Sequence, residues 1–298
     1  MVSKSRHRRN ARHIPFANRV GLPSPRKAFL GSGFTCKAHG RRRYEMLGEI
    51  LDKNNLGGMT NLIIDLSTSS KKMNIEVFPT VKYETHCELF DFPEADYNSD
   101  MLPISHIVKL VTSLEMLNDE YGITEEIEDI LRERYWIDED ENQLIIAKMA
   151  MTEFPNSWRE RMEVTWSYWL DAIDGDHLVV GSRADEIMDR DLYGNPFDNG
   201  SLYYIYDVDV HGSFKNKDIE INLLRYTFSN FIQNDIGMVF FIAQTIDKNT
   251  EQHSITKEIK VVKDTEMLDI FDKCGFSRIF NSVIKDLVLE IEVHKLQD

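Results

Sequence analysis

The chain has 298 residues, 42% of them hydrophobic, which is enough to bury a substantial core and too many for a protein disordered throughout. The net charge of −15 is unevenly distributed: residues 1–44 hold 12 lysines and arginines and no acid, whereas the remainder holds 23 basic and 50 acidic side chains, a net charge of −27. An acidic body of this kind repels nucleic acid and anionic membranes, which argues against both as its partners.

The sequence also indicates the compartment. It contains no apolar run of roughly 18 residues and no apolar segment near its N-terminus, so we expect neither a membrane span nor a secretory signal. Its three cysteines, Cys36, Cys87 and Cys274, are scattered and have no disulfide or metal-ligand spacing. Free thiols in a reducing, cytoplasmic setting are the simplest interpretation.

The composition of residues 1–58 predicts a basic, disordered tail, because clustered arginine with Gly, Pro and Ser leaves little apolar surface to bury. We favour a functionally quiet extension, with Met59 as an alternative biological start. A contact arm for nucleic acid or for an acidic partner, and an arginine-rich targeting peptide, are the competing interpretations.

Residues 59–130 predict an N-terminal α/β segment that packs on the main domain. NLIIDL, from residue 61, and MNIEVF, from residue 73, have the β-branched composition of strands. Apolar residues from Ile107 to Leu117 recur at helical spacing and predict a helix that ends at Gly122. A second helix is predicted to start at Thr124.

Residues 131–298 alternate between predicted strands and helices. DGDHLVV, from residue 174, predicts a turn that enters a strand, and the aromatic stripe of the helix at 157–173 predicts core packing. The order indicates an α/β (α+β) fold with a mixed central sheet flanked by helices. The other predicted strands are 143–151, 203–210, 237–246 and 283–293, the other helices are 218–233 and 264–274, and 189–200 is a loop.

Residues 201–224 read as a strand, a short polar loop and the start of an amphipathic helix, a layout in which backbone N–H groups can hold phosphates. Within them, FKNKDIEINLL (214–224) resembles the form Y-R-G-x-G-I-G-x-x-L-L of the GNAT N-acetyltransferase superfamily. Phe214, Lys215, Ile219 and the Leu223-Leu224 pair stand at matching positions. Residues that differ from the usual glycines are Asn216, Asp218 and Glu220.

The resemblance implies a site for acetyl-CoA. The strand backbone around Val208 and Val210 would receive the pantetheine arm, and the following loop and helix N-terminus would hold the pyrophosphate. Each carboxylate close to a pyrophosphate adds repulsion on the order of a kcal/mol, although acids at a helix N-terminus also complement the helix dipole. The implied pyrophosphate-binding residues are Lys215, Asn216, Lys217, Asp218, Ile219 and Glu220.

A second stretch, DTEMLDIFDKCGF (264–276), is similar to the N-x-x-A-x-x-L-Y-x-K-x-G-F pattern of the same superfamily. Lys273, Gly275 and Phe276 stand where the pattern expects them. Phe271 occupies the position of the tyrosine that, in many members, protonates the departing thiolate, and its ring has no proton to give.

Three side chains are candidates for the general base that would deprotonate an amine substrate. Asp207 and Asp209 lie two residues apart on one predicted strand and therefore share a face, and His211 follows the strand directly. An exposed edge-strand acid and a solvated loop histidine are the competing interpretations of these residues.

The resemblance implies a degenerate GNAT-like domain over 131–298 that transfers an acetyl group from acetyl-CoA to an amine. The negative body favours a cationic acceptor, either a small molecule or a protein. The alternative is a catalytically inactive, acidic interaction module that binds a basic protein surface or mimics nucleic acid.

Overall fold

The computed structural model describes residues 44–46, 62–67, 73–87, 103–215, 218–233, 235–246, 261–263, 265–281 and 286–297. Most of the predicted basic tail, 1–58, lies outside the described residues. Within the described ranges, none of the helices combines the length and the apolar character that a bilayer crossing requires.

The described chain alternates between strands and helices. The strands are β1 (Tyr44–Met46), β2 (Leu62–Asp65), β3 (Asn74–Val77), β4 (Thr80–Cys87), β5 (Ile104–Ser113), β6 (Trp136–Asp138), β7 (Gln143–Phe154), β8 (Leu202–Val210), β9 (Met238–Ile242), β10 (Gln244–Ile246), β11 (Val261–Lys263), β12 (Ser277–Asn281) and β13 (Asp286–Glu292). The helices are α1 (Leu114–Tyr121), α2 (Glu125–Arg134), α3 (Asn156–Met162), α4 (Trp166–Asp171), α5 (Gly175–Asp189), α6 (Ile219–Asn230), α7 (Thr265–Lys273) and α8 (His294–Gln297).

One large mixed sheet organises the fold, in the order β1-β4-β5-β7-β8-β9-β13-β12, and β6 also pairs with β7. Neighbouring strands are antiparallel except β8 and β9, which are parallel. The strands β4 and β5 come from the predicted segment 59–130 and lie in the same sheet as the strands that follow residue 131. The predicted α/β fold class, a mixed central sheet flanked by helices, is confirmed.

Helices cover both faces of this sheet with apolar side chains. One core cluster includes Leu117 of α1, Leu223 of α6 and Phe271 of α7, packed against the inward residues of β5, β7 and β8. The other includes Trp166 and Trp169 of α4, both fully buried and stacked 5.9 Å apart. The aromatic stripe therefore packs in the core, as predicted.

The predicted helix at 107–117 is wrong in its first part, because residues 104–113 form β5. In β5, every second side chain points into the same core, as Val108 and Leu110 do. The β-branched side chains of this stretch also favour a strand. The helix begins only at Leu114, where the Ser113 side chain accepts a hydrogen bond from the N–H of Met116. The apolar spacing therefore spans both a strand and a helix. The predicted end of the first helix at Gly122 and the predicted start of the second at Thr124 are confirmed.

Two further predictions for 157–180 are corrected. The predicted single helix at 157–173 is interrupted at Glu163, whose φ of 55° is left-handed, and the chain forms α3 and α4. The predicted strand in DGDHLVV is helix α5, because Asp174 accepts a hydrogen bond from the N–H of His177 and so caps a helix instead of forming a turn. The two valines that suggested a strand, Val179 and Val180, pack in the core.

A buried ion pair joins α5 to the sheet. The Arg183 guanidinium donates two hydrogen bonds of 2.7 Å to the Glu290 carboxylate of β13, whose side chain is fully buried. The hydroxyl of Tyr193 donates to the same carboxylate at 2.7 Å. Because the charges lie away from water, removal of the guanidinium leaves the Glu290 carboxylate with the neutral Tyr193 hydroxyl but without its ion-pair partner.

We therefore expect Arg183→Ala to lower the free energy of unfolding by about 3–5 kcal/mol, since it strands the Glu290 carboxylate. Arg190→Ala is the matched control: Arg190 is exposed, directly follows the same helix and pairs with Glu186 at 2.9 Å. Its loss should cost less than about 1 kcal/mol. Urea unfolding of both variants measures the difference, and equal effects would contradict this account.

Candidate functional site

The parallel strands β8 and β9 pair over only part of their length. Their register runs from Leu202–Met238 to Ile205–Phe241, and β9 ends at Ile242. The chain beyond β9 pairs in a separate two-stranded sheet, β10 with β11. Residues 206–210 of β8 therefore have β7 on one side and, among the described residues, no strand on the other. We call this open side of β8, residues 206–210, the wedge.

A β-bulge lies at the point where the wedge begins. Across β7 and β8, Met151 pairs with Ile205 and Ala150 pairs with Asp207, so Tyr206 is an additional residue on β8. A bulge bends its strand and increases the local twist. The side chain of Tyr206 is 48% exposed at this bend.

The N-terminus of α6 follows the end of β8 after a short loop. Asp218 precedes the helix with φ 52° and ψ 27°, in the left-handed region that glycine adopts most readily. Its side chain makes no capping hydrogen bond to the helix. This position, a glycine in the pattern that the sequence resembles, keeps a glycine-like backbone conformation although the side chain is an aspartate.

Charges of both signs surround this helix end. The ammonium of Lys215 lies 3.4 Å from Glu266, and that of Lys273 lies 3.6 Å from Asp218. Glu220, in the first turn of α6, is buried, and this burial raises the pKa of its carboxyl, with the Glu266 charge adding to the effect and Lys215 opposing it. An anion at this end would meet backbone N–H donors and two lysines, but also three carboxylates.

The two candidate catalytic aspartates lie on the face of the sheet opposite to α6. The side chains of Val208 and Val210 on the same strand pack in the core that α6 covers. Their backbone lies along the wedge. The carboxylate of Asp207 lies 3.1 Å from the ammonium of Lys148 on β7. Asp209 forms no ion pair with any described residue, which leaves it the freer of the two.

His211 is held by both of its ring nitrogens. Nε2 lies 3.0 Å from the carbonyl oxygen of Arg134, and Nδ1 accepts the N–H of Ser213 at 3.3 Å. Burial lowers the pKa of the ring, against the opposing effects of the Arg134 carbonyl and the Asp209 charge. The ring packs 4.8 Å from that of Tyr135, so it is a positioned side chain between the end of β8 and the end of α2.

Phe271, the residue at the tyrosine position of the second motif, is 1% exposed. Its ring stacks on Phe241 of β9 with centroids 4.0 Å apart, and it meets Phe276 edge-on at 4.8 Å. It therefore packs against the last residue of β9 that pairs with β8. Gly275, which follows α7, has the positive φ of 95° expected of a helix-ending glycine.

The structure brings most of the predicted site residues to one end of the sheet: Asp207, Val208, Asp209, Val210, His211, Lys215, Asp218, Ile219 and Glu220. Asn216 and Lys217 lie outside the described residues. Sequence reasoning missed Tyr206, Lys148 and Glu266. The stretch YYIYDVDV carries no sign of a bulge, and the other two residues reach the site only through strand pairing and helix packing.

In comparisons with known proteins, no family model matches the chain, and no curated protein is significantly similar to it.

The raised pKa of Glu220 predicts that the free energy of unfolding depends on pH. The folded state binds this proton more tightly than the unfolded state, so stability falls as pH rises from the ordinary value of 4.5 through the raised pKa. We expect Glu220→Gln to be more stable than the wild type at pH 7, with an advantage that disappears below pH 4.5. Urea unfolding at several pH values measures this difference.

Glu115→Gln is the matched control, because Glu115 occupies the first turn of α1 but is exposed. It removes the same charge from a similar helix position without the burial. An equal gain at pH 7 in both variants would show that the effect comes from net charge and not from the burial of Glu220.

Proposed function

We propose that the wedge binds the pantetheine arm of acetyl-CoA and that the protein is an N-acyltransferase acting on a cationic amine. The observation that carries this proposal is the separation of β8 from β9 after Ile205, together with the bulge at Tyr206. A parallel pair that is joined at one end and open at the other exposes the backbone of one strand to an extended ligand. An amide-containing arm can pair with such a backbone as an added strand does.

The residues at the α6 N-terminus carry both favourable and unfavourable charges for the pyrophosphate of the cofactor. The helix N-terminus and the lysines Lys215 and Lys273 supply donors and positive charge for a pyrophosphate. Glu220, Asp218 and Glu266 oppose it, and each close carboxylate repels a phosphate by on the order of a kcal/mol or more. We therefore expect weaker binding than an equivalent site with glycines at these positions would give.

The side chains of β8 supply the proton chemistry. Bound acetyl-CoA supplies an acetyl thioester, which an unprotonated amine can attack. Asp209 has no ion-pair partner among the described residues and would take the proton of the acceptor ammonium, directly or through a water. Lys148 draws Asp207 away from that role. The proton that the leaving thiolate needs would come from Tyr206, because the Phe271 ring has none to give.

The proposal predicts acetyl-CoA binding by the full-length chain in the micromolar range. Lys215→Ala should weaken it by about threefold to tenfold, and Glu220→Gln should strengthen it by a similar factor, because the two changes alter the charge at the α6 N-terminus in opposite directions. Isothermal titration calorimetry at moderate salt measures both.

Lys295→Ala is the control for a lost positive charge, because Lys295 lies on α8, which contacts the other end of α6 through Ser229. It should leave the affinity unchanged. The absence of heat at millimolar acetyl-CoA would overturn the proposal.

If an amine acceptor is found, Asp209→Asn should lower kcat by about 10²–10⁴ while the affinity for acetyl-CoA stays the same, because the amide cannot take the proton. Asp207→Asn should have a much smaller effect, since its carboxylate is already paired with Lys148. Steady-state kinetics of the two variants provides the test. Equal losses of kcat in the two variants would indicate that the two aspartates act through their total charge and that neither is the specific base.

The burial of Glu220 and Phe271 favours a second candidate function. A carboxyl at the α6 N-terminus and an aromatic ring without a hydroxyl both remove features that the resemblance requires for cofactor binding and catalysis. In this case the domain is an inactive scaffold whose acidic surface binds a basic protein. Binding of a lysine-rich peptide that weakens with salt, combined with no binding of acetyl-CoA, would select this function.

A further inference from the structure

A polar pocket lies at the opposite end of β8 from the wedge. Its volume is about 210 Å³, and it is lined by side chains from four neighbouring strands and from the segment that follows α6. Tyr203 of β8 lines it, three residues before Tyr206, where the wedge begins, and at about 3.3 Å per residue these positions lie about 10 Å apart along the strand. The pocket is therefore a separate site from the wedge.

A chain of hydrogen bonds crosses the wall of the pocket. The hydroxyl of Tyr83 lies 2.6 Å from Nδ1 of His106, and Nε2 of His106 lies 3.0 Å from the Glu153 carboxylate. Burial raises the pKa of Tyr83 to about 12, so its hydroxyl stays protonated. The hydroxyl of Ser201 donates to the second oxygen of Glu153 at 2.9 Å and extends this chain.

The second carboxylate of the pocket, Asp235, is also held by neutral donors. It accepts the N–H of Ser201 at 3.0 Å, the N–H of Gly237 at 2.7 Å and the hydroxyl of Tyr203 at 3.0 Å. These bonds fix the carboxylate but do not neutralise its charge.

Two carboxylates thus face one small cavity without a permanent cation. Among the described residues that line the pocket, none is a lysine or an arginine. A negative cavity of this kind attracts a cation and excludes anions. Phe231 and Ile232, together with the ring of Tyr83 stacked on Phe231 at 4.5 Å, supply apolar walls beside the charges.

We propose that this pocket binds a small organic cation, a primary alkylammonium whose charged group meets Glu153 and Asp235 and whose alkyl chain lies against Phe231 and Ile232. The volume equals that of about seven waters at about 30 Å³ each, which admits a ligand of similar size. Each ammonium group offers three donors, and the carboxylate oxygens retain lone pairs to accept them. The site is independent of acetyl-CoA binding in the wedge.

The test is calorimetric titration of the full-length chain with n-butylammonium chloride, compared with 1-butanol and with sodium butyrate. We expect the ammonium to bind with a dissociation constant of about 1 mM, as its small size allows, and the neutral and anionic analogues not to bind. Binding of 1-butanol as strong as that of the ammonium would overturn the proposal, since it would show a merely apolar hole.

Gln233→Lys tests the location. The side chain of Gln233 lines the pocket and is exposed, so a lysine there places a competing ammonium beside the carboxylates without disturbing the core. We expect binding to weaken at least about tenfold. Glu153→Gln keeps a hydrogen-bonding group of the same shape, removes one charge and should also weaken binding.

Asn118→Lys, an exposed position on α1 at the far end of β5 from His106, adds the same charge elsewhere and should leave the affinity unchanged. Thermal unfolding of each variant verifies that it is folded. Unchanged binding in a folded Gln233→Lys protein, or no heat from the wild type with about 50 mM ammonium, would refute the site.

Discussion

The contact between the first residues of β8 and β9 is the constraint on which the rest of the structure depends. Asp235 accepts the N–H groups of Ser201 and Gly237, one at the start of each strand. A methyl group on Gly237 would lie 1.8 Å from the Ser201 carbonyl oxygen, so the backbones approach as only glycine permits. Beyond this fixed end, β9 ends one residue after Phe241, whereas β8 continues along β7 past the bulge at Tyr206. The wedge begins where β9 stops.

The buried carboxylates Glu290 and Glu220 differ in how the protein compensates their charge. Glu290 has a guanidinium and a hydroxyl as partners, so it is held firmly within the fold. Among the described residues, Glu220 is compensated by its own backbone N–H and by the charge of Lys215. A carboxyl that a protein buries at a cost in stability, beside a helix N-terminus, is more informative about function than one that serves packing.

The sequence predicted the elements whose pattern is local. The strand 203–210 and the helix 218–233 were predicted close to their observed bounds, because their periodicity and their flanking polar loop lie within one short window. Asp174 was misread because an aspartate before glycine is compatible with a turn and with a helix cap, and only the packing of Val179 and Val180 decides between them. The bulge at Tyr206 and the cluster around His106 depend on the register between strands that are distant in sequence. The pattern within one short window does not say which distant residue each position of the strand faces.

The geometry of the wedge and its charge have separate causes. The bulge and the Asp235 contact set the shape, and neither involves a residue that would touch a phosphate. Asp218 keeps the left-handed backbone of a glycine while adding a negative charge, so the loop can retain its conformation as its affinity for anions changes. Under the proposed function, a few substitutions at the α6 N-terminus would change cofactor binding without loss of fold, because fold and site rest on different residues. The two proposed functions, an acyltransferase and an inactive scaffold, therefore share one architecture and differ in whether the charges at Asp218 and Glu220 permit an anion to bind.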